Sequence, residues 1–407
     1  IYHIGVGVIT TPADGSVTEA KIGSSAVTTA KINDGAVTSG KIASGVIPDA
    51  VSLRPNANPL IINGDMAVAQ RGTSVSSLTS SGAIQTVDRI KNEIGNIGTY
   101  TVAQESLTSG EAYNNGFRKA WRIDTTTADA SPSAGDSLYV TYSFEGQDLQ
   151  LFKKGTSNAQ KFTLAFWIKS NKTGTGQVNL RDNDNSRLIG GTYTISSADT
   201  WEHKVVNFAA DTTGAFDNDN AGSMDIEWWL DSGTTYSSGA TPTSWEAFSQ
   251  ADRNAGGTLQ IARNTANDWS ITGIQLEVGE YSSTTLPPFQ HESFGDNLNR
   301  CFRYCYQISG DGSVDRDIVS LTGTGGAGFG VFRFPIQMRA SPTQSDSGDS
   351  DFYMYGNNSG SPSSLRGDRL NSVSTGIVSD TGIGSGQTAN LRLESGTSKF
   401  IRFDAEL

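Results

Sequence analysis

A strict ten-residue repeat limits what the first part of this chain can fold into. Val17-Thr-Glu-Ala-Lys-Ile22 recurs as Val27-Thr-Thr-Ala-Lys-Ile32 and again as Val37-Thr-Ser-Gly-Lys-Ile42, punctuated by Gly15, Gly35 and Gly45. Val and Ile stand five apart in every unit. On a helix that spacing leaves the two side chains about 140° apart, and on a flat strand it puts them on opposite faces. Neither geometry gives one buried face, and two or three apolar residues per ten cannot fill a core within one chain. Several copies wrapped around a common axis could share one. The competing reading is a low-complexity linker, which would tolerate drift in the period. The repeat is expected to be a multi-chain shaft over residues 16–57, with Val17, Ile22, Val27, Ile32, Val37 and Ile42 at the shared axis.

Beyond Pro48, Pro55 and Pro59 the repeat stops and alternation begins. Ser137–Phe144 places Leu138, Val140, Tyr142 and Phe144 on one face. Phe162, Leu164, Phe166 and Ile168 share a face in the next such run. Met224–Leu230 turns Met224, Ile226, Trp228 and Leu230 inward and Asp225, Glu227 and Asp231 outward, and Ser270–Val278 completes the set. A period of two between Gly/Asn/Asp/Ser loops predicts an antiparallel sandwich or jelly roll over residues 58–295. Composition agrees. Glycine is 46 of 407 residues, Ser and Thr together are about 90, and charged residues are 18%, against roughly 25% in ordinary soluble domains. Helix bundles and doubly wound α/β enzymes need long Ala/Leu/Glu/Lys stretches that are absent here. One helix is expected from Phe294 to Cys305, capped at Asp296, with Leu298, Cys301 or Phe302, and Cys305 at helical spacing. Residues 308–407 then return to β character around Gly330–Phe334, Phe352–Tyr355 and Phe400–Phe403, so 296–407 is expected to be a connector helix followed by a smaller distal β domain. The fold class is therefore all-β: shaft, jelly roll, one short helix, distal β domain.

Charge and cysteine content exclude several functions. The net charge is −12 and the pI about 4.8, so neither nucleic acid nor an anionic membrane attracts the chain. No apolar run reaches the roughly 18 residues of a membrane span, and no leader peptide is visible. Cys301 and Cys305 are too few for a disulfide framework and read as buried thiols. His3, His203 and His291 show no metal-ligand spacing. Asp182-Asn-Asp-Asn185 and Asp217-Asn-Asp-Asn220 are oxygen-rich, but the second has Ala221 and Trp228 where a calcium loop needs ligands, so both read as Asx turns. No metal or cofactor is expected.

Two motifs imitate catalytic or nucleotide sites. Gly135-Asp-Ser-Leu138 spells a hydrolase nucleophile block, yet Ser137 precedes an alternating strand rather than a helix. Gly323-Thr-Gly-Gly-Ala-Gly328 matches a dinucleotide glycine pattern but leads into a strand, so no helix N-terminus is there to hold phosphate. No catalytic residue is assigned. Seven Trp are the unusual feature. Trp167 and Trp229 fall out of phase with their apolar faces, so of the pair Trp228-Trp229 one ring is expected in and one out. Outward aromatics can stack on sugar rings, and packing within or between subunits is the alternative.

The residues also resemble a known family. The decapeptide repeat is similar to the tail-fibre shafts of tailed bacteriophages. Leu60-Ile-Ile-Asn-Gly-Asp-Met66, Gln70-Arg-Gly-Thr-Ser74, Val87-Asp-Arg89, Glu145-Gly-Gln-Asp-Leu149, Phe162–Trp167, Ala198-Asp-Thr-Trp-Glu202, Ile271–Gly279, Pro288-Phe289, Arg300–Tyr304, Phe334–Pro342 and Phe403–Leu407 resemble a marine-phage-type fibre protein. The resemblance implies a virion-borne homotrimer with a carbohydrate-binding-module-like jelly roll. It also implies docking to phage tail proteins through the N-terminal end and attachment to a host surface glycan or outer-membrane receptor. Synthesis in the host cytoplasm, no membrane insertion and no nucleic-acid partner go with it. Residues 1–15 are expected to end a docking region that precedes Ile1. The distal domain, furthest from the virion in such a fibre, is expected to bind the receptor through Tyr353, Tyr355 and Asn357, with Trp229, Tyr236 and Trp245 on the jelly roll as the competing site. Two alternatives stand beside this reading: a polysaccharide-cleaving tailspike using Glu145, Glu227 or Asp231 as its carboxylates, and a purely structural virion fibre.

Overall fold

Strands dominate because β-branched and aromatic residues alternate with polar ones between glycine-rich turns. The computed structural model describes residues 58–407, apart from 83, 311, 357–359, 363 and 380–382. The expected shaft and its six Val and Ile positions, with Asn357, lie outside the described residues. The chain divides into Ile1–Arg54 and Pro55–Leu407.

The first twelve strands are β1 (Ser74–Leu78), β2 (Lys91–Gly95), β3 (Thr99–Ser106), β4 (Lys119–Thr127), β5 (Ser137–Glu145), β6 (Phe162–Lys169), β7 (Gly174–Asp182), β8 (Arg187–Ile195), β9 (Glu202–Phe208), β10 (Gly222–Ser232), β11 (Glu246–Ala247) and β12 (Asp268–Val278). They form two antiparallel six-stranded sheets. Sheet A runs β1-β3-β4-β12-β6-β9 and sheet B runs β11-β8-β7-β10-β5-β2. The inward rows meet between them as the alternation predicts. Leu138, Val140, Tyr142 and Phe144 of β5 and Phe162, Leu164, Phe166 and Ile168 of β6 are all buried in one core. Phe166 meets Trp228 of β10 edge-on, with ring centroids 5.9 Å apart. Each such ring or Leu taken from water contributes roughly 1.5–3 kcal/mol.

The helix Phe294–Phe302 is shorter than its sequence pattern, and its cap is Ser293 rather than Asp296. The Ser293 hydroxyl accepts the Asp296 N–H at 3.2 Å and donates to the Asp296 carboxylate at 2.7 Å, a reciprocal cap. Cys305 leaves the helix and opens β13 (Cys305–Ser309). Both cysteines are buried and free, as expected. β13 pairs with β21 (Phe400–Asp404), which pairs with β16 (Thr343–Asp346). β14 (Arg316–Gly323), β15 (Gly328–Arg333), β17 (Phe352–Gly356), β18 (Leu365–Asp368), β19 (Ser374–Ser379) and β20 (Thr388–Leu393) make a further sheet, ordered β17-β20-β14-β15-β19-β18. These strands enclose a second core that includes Leu321, Met338, Phe352, Ile377, Leu391 and Phe403. The glycine-rich 323–328 segment is the connection between β14 and β15.

Candidate functional site

The outward rows of sheet B converge by register. Across β2, β5, β10 and β7 one row reads Glu93, Tyr139, Trp229, Gln177, and the next reads Lys91, Thr141, Glu227, Asn179. A third joins Ser143, Asp225 and Arg181. The face is polar throughout, with two aromatic rings at one end.

Half of this face is roofed by the segment 233–258. Gln177 donates to the Asp252 carbonyl at 2.7 Å and accepts from the Gly256 N–H at 2.8 Å, and Asn179 donates to the Arg253 carbonyl at 2.7 Å. This roof corrects the expectation for Trp229. Trp229 does point outward, but its exposure is 0%. Its ring stacks on Tyr139 at 4.4 Å, touches Tyr236 at 5.1 Å and lies beneath the Arg253 guanidinium at 4.6 Å. Its indole N–H donates to Glu227 at 3.0 Å. Glu227 also takes two Arg253 bonds, at 3.0 and 2.7 Å. Alternation reports which face a side chain takes, not whether a distant loop lies on top of it. Trp229 therefore supports the site from below and cannot stack on a ligand. Trp245 is also corrected. It is 8% exposed, donates to the Ala209 carbonyl at 2.8 Å and packs against Phe162 and the Lys154 ammonium. The structure brings Trp229 and Tyr236 together and places Trp245 in a different cluster.

The uncovered half is a groove of about 460 Å³. Tyr139, Thr141, Ser143, Arg181 and Asp225 form its floor, Lys91 and Glu93 one edge, and Arg339, Glu406 and Leu407 the far wall. Both charge signs are present, and so are hydroxyl and amide groups. Asp225 accepts from the Ser143 hydroxyl at 2.6 Å and from the Asn183 amide at 2.9 Å. Burial lifts its carboxyl above the usual carboxylate range, and those two bonds pull it part of the way back. Burial likewise raises the Tyr139 phenol, so it remains a neutral hydroxyl that can donate. A row of donors and acceptors beside an aromatic ring suits a polyhydroxylated ligand.

The other sequence candidates resolve individually. Tyr353 and Tyr355 share a face of the edge strand β17, as expected, and Tyr355 is 57% exposed. The Arg392 guanidinium lies over the Tyr355 ring at 4.4 Å and is itself tied to Asp317 at 2.6 Å. Ser137 is buried where β5 begins, opposite Gly95 and Ser232. The carboxylates proposed for cleavage each meet an arginine: Glu145 meets Arg303, Glu227 meets Arg253 and Asp231 meets Arg263. Glu227 and Asp231 were expected to face solvent and are buried. The two Asn/Asp clusters bond to their own loops and to each other: Asp219 accepts the Ala221 N–H in an Asx turn, Asp182 accepts the Asn185 N–H three residues on, and Asp184 accepts the Asp217 N–H of the other cluster. No metal-ligand cluster occurs among the described residues. Sequence reasoning missed Tyr139, Arg181 and Asn183. Tyr139, Thr141 and Ser143 are legible as the outward positions of Ser137–Phe144, whereas nothing in the sequence pattern marks Arg181 and Asn183 as their neighbours.

No protein-family model matches the chain, and no curated protein matches it. Among solved structures it is similar to the enzymatically active domain of bacteriophage CBA120 tailspike protein 4, at 10% identity and a TM-score of 0.28, covering 54% of this chain and 21% of that one. It is also similar to a family 11 carbohydrate-binding module from Clostridium thermocellum in complex with a mixed-linked tetrasaccharide, at 10% identity and a TM-score of 0.23, covering 52% and 98%. A third is the CBM22-1 xylan-binding domain from Paenibacillus barcinonensis, at 8% identity and a TM-score of 0.24, covering 53% and 100%. The chain thus spans about a fifth of the tailspike domain and nearly the whole of the two modules.

Proposed function

We propose that this chain is a tailed-phage fibre protein that attaches to its host by holding a charged surface glycan in the sheet B groove, without cleaving it. The observation that carries the reading is the groove itself. Neighbouring strands deliver Tyr139, Thr141, Ser143, Asp225 and Arg181 in register to one open face. The distal tyrosines are the competing location, with Arg392 over one face of the Tyr355 ring. The family resemblance supports the viral setting: a homotrimer assembled through residues 16–57, docked to tail proteins by its N-terminal end and carried on the virion. Titrating the chain with purified host-surface polysaccharide, and sizing the polysaccharide afterwards, tests the proposal. Binding that falls about tenfold or more in Tyr139→Ala and Arg181→Ala, with unchanged polymer length, is the expected result. Shortened polymer would replace it with the cleaving reading, and binding indifferent to both substitutions would remove the groove from it.

A further inference from the structure

The opposite face of the sandwich holds a second concavity that the sheet B reading does not use. It measures about 380 Å³ and lies on sheet A around Phe117, Trp167, His203, Gln275, Phe289 and His291. Trp167 is paired across the sheet with His203 of β9 on one side and Thr272 of β12 on the other. Its ring stacks on the His203 imidazole at 4.9 Å, with 30° between planes, and it is only half-buried.

The seat for these rings is built into the backbone. The register of β12 slips between Thr272 and Gln275, and Gly273 within that slip has φ 61°. A Cβ there would stand 2.6 Å from Phe117 Cζ and 2.9 Å from Trp167 Cδ1. Only glycine fits both the left-handed backbone and the two rings pressed against it. The rim is fixed as well. Phe289 meets Phe117 edge-on at 4.8 Å and His291 at 4.8 Å, and Gln275 donates to the Pro287 carbonyl at 3.0 Å.

Three features decide what fits. Trp167 is only partly buried and offers an apolar surface to the cavity. The Trp167 indole N–H and the His203 ring nitrogens donate to no protein group among the described residues, so they remain available to hydroxyls. No Lys, Arg, Asp or Glu lines the cavity, in contrast to the seven charged residues around the sheet B groove. Burial, helped by the adjacent Lys204, holds the His203 imidazole below its usual range. At neutral pH it therefore presents one acceptor and one donor rather than a charge.

We propose that this cavity is a second carbohydrate site, which seats the apolar face of a neutral pyranose ring on Trp167 with its hydroxyls bonded by His203. The site goes beyond the sheet B groove and does not depend on it. Two sites on opposite faces of one sandwich let a fibre grip two stretches of surface polymer at once, and the second contact then forms at the high effective concentration set by the first.

The experiment titrates the intact chain with maltotriose, cellotriose and β-1,4-galactotriose while the Trp167 indole N–H and the His203 ring protons are followed by NMR. This readout needs no variant and reports on this cavity alone. The expected result is a saturable shift of both signals with at least one trisaccharide. Affinity should fall about tenfold or more in Trp167→Ala and be partly kept in Trp167→Phe. The proposal is overturned if no trisaccharide moves either signal at concentrations up to about 10 mM, or if Trp167→Ala, folded by its melting temperature, binds as tightly as the parent.

Discussion

Lys154 tests whether the sandwich is held by buried charge as well as by apolar packing. Its side chain is wholly inaccessible and its ammonium is surrounded by oxygen. Asp182 lies at 2.5 Å, Asp211 at 3.0 Å, and the carbonyls of Thr213 and Gly214 at 3.1 and 2.7 Å. The Phe216 and Trp245 rings close the shell at 5.2 and 4.9 Å. In Lys154→Met the apolar stem is replaced almost without loss of volume, so cavity formation contributes little. What remains is a carboxylate, Asp182, with no counter-ion and only the Asn185 backbone and amide N–H groups as donors. Asp211 keeps Arg187 at 2.7 Å. Removing one partner of a buried pair costs about 3–5 kcal/mol, which for a sandwich of this size lowers the melting temperature by about 6–20 °C. Thermal and urea unfolding, followed by tryptophan fluorescence, measure it. The decisive companion is Lys154→Met/Asp182→Asn, which removes the stranded charge and is expected to recover about 1–3 kcal/mol of the loss. A single substitution costing less than about 1 kcal/mol, or a double variant no more stable than the single, would refute the reasoning.

Trp229→Ala should cost about 3–5 kcal/mol in unfolding experiments, because a wholly buried ring and its bond to Glu227 are lost together; stability within about 1 kcal/mol of the parent would mean the ring is not the support described. Asp88 is pushed up to about 6 by burial, against the opposing pull of Arg71 and Gln70. Its folded pKa is thus above its unfolded value, so its contribution to stability is full below pH 4, is lost as pH rises through 6, and vanishes from the pH profile of Asp88→Asn; superimposable profiles would contradict this. Glu406→Gln weakens the buried pair with Arg89 at 2.5 Å and one of the Arg71 contacts, and a loss of about 3 kcal/mol is expected by urea titration. Sedimentation of Val27→Asp/Ile32→Asp should show weakened self-association, since each charge would enter the proposed shared axis; unchanged assembly would leave the linker reading of the repeat in place.

Periodicity carried most of the fold. The inward sets of β5, β6 and β10 follow from a period of two, whereas β12 switches from Trp269 and Ile271 to Ile274, Leu276 and Val278 across its bulge; the observed ends of all four differ from the sequence pattern by a residue or two. The failures come from long-range folding. Asp231 lies beyond a register slip in β10 that sets it opposite Leu138, where it meets Arg263. Trp229 and Glu227 turn outward as alternation predicts, and they are buried because 233–258 folds back over β7 and β10. That loop is Gly-, Ser- and Thr-rich and shows no pattern that says where it lands. The early end of the helix has the same character. Leu298, Cys301 and Cys305 keep helical spacing, yet Cys305 is drawn into pairing with Asp404 about a hundred residues later. The aromatic surface of sheet A was legible in part, since Trp167 is out of phase in its strand. Its seat at Gly273 was not, because a bulge depends on the partner strands.

The groove on sheet B also shows why the C-terminal strands matter to the jelly roll. Its far wall is made by Arg339, Glu406 and Leu407, which sequence order places far from β5 and β10. Buried ionic contacts fix that wall to the sandwich. Arg71 reaches Asp88 at 3.1 Å, Asp404 at 2.8 Å and Glu406 at 3.2 Å, while Arg89 joins Glu406 to the Ser143 carbonyl in the groove floor. Arg339 donates to the carbonyls of Asn220, Ala405 and Glu406 at 2.9, 2.7 and 3.0 Å. Such bonds contribute little net stability, because desolvating the charges offsets most of their attraction. Their geometric demand is strict, since any displacement of the tail leaves two buried guanidinium groups short of partners. The groove is therefore preorganised by the last residues of the chain. A ligand entering it meets a wall already in place, and little of its binding energy is needed to order that wall.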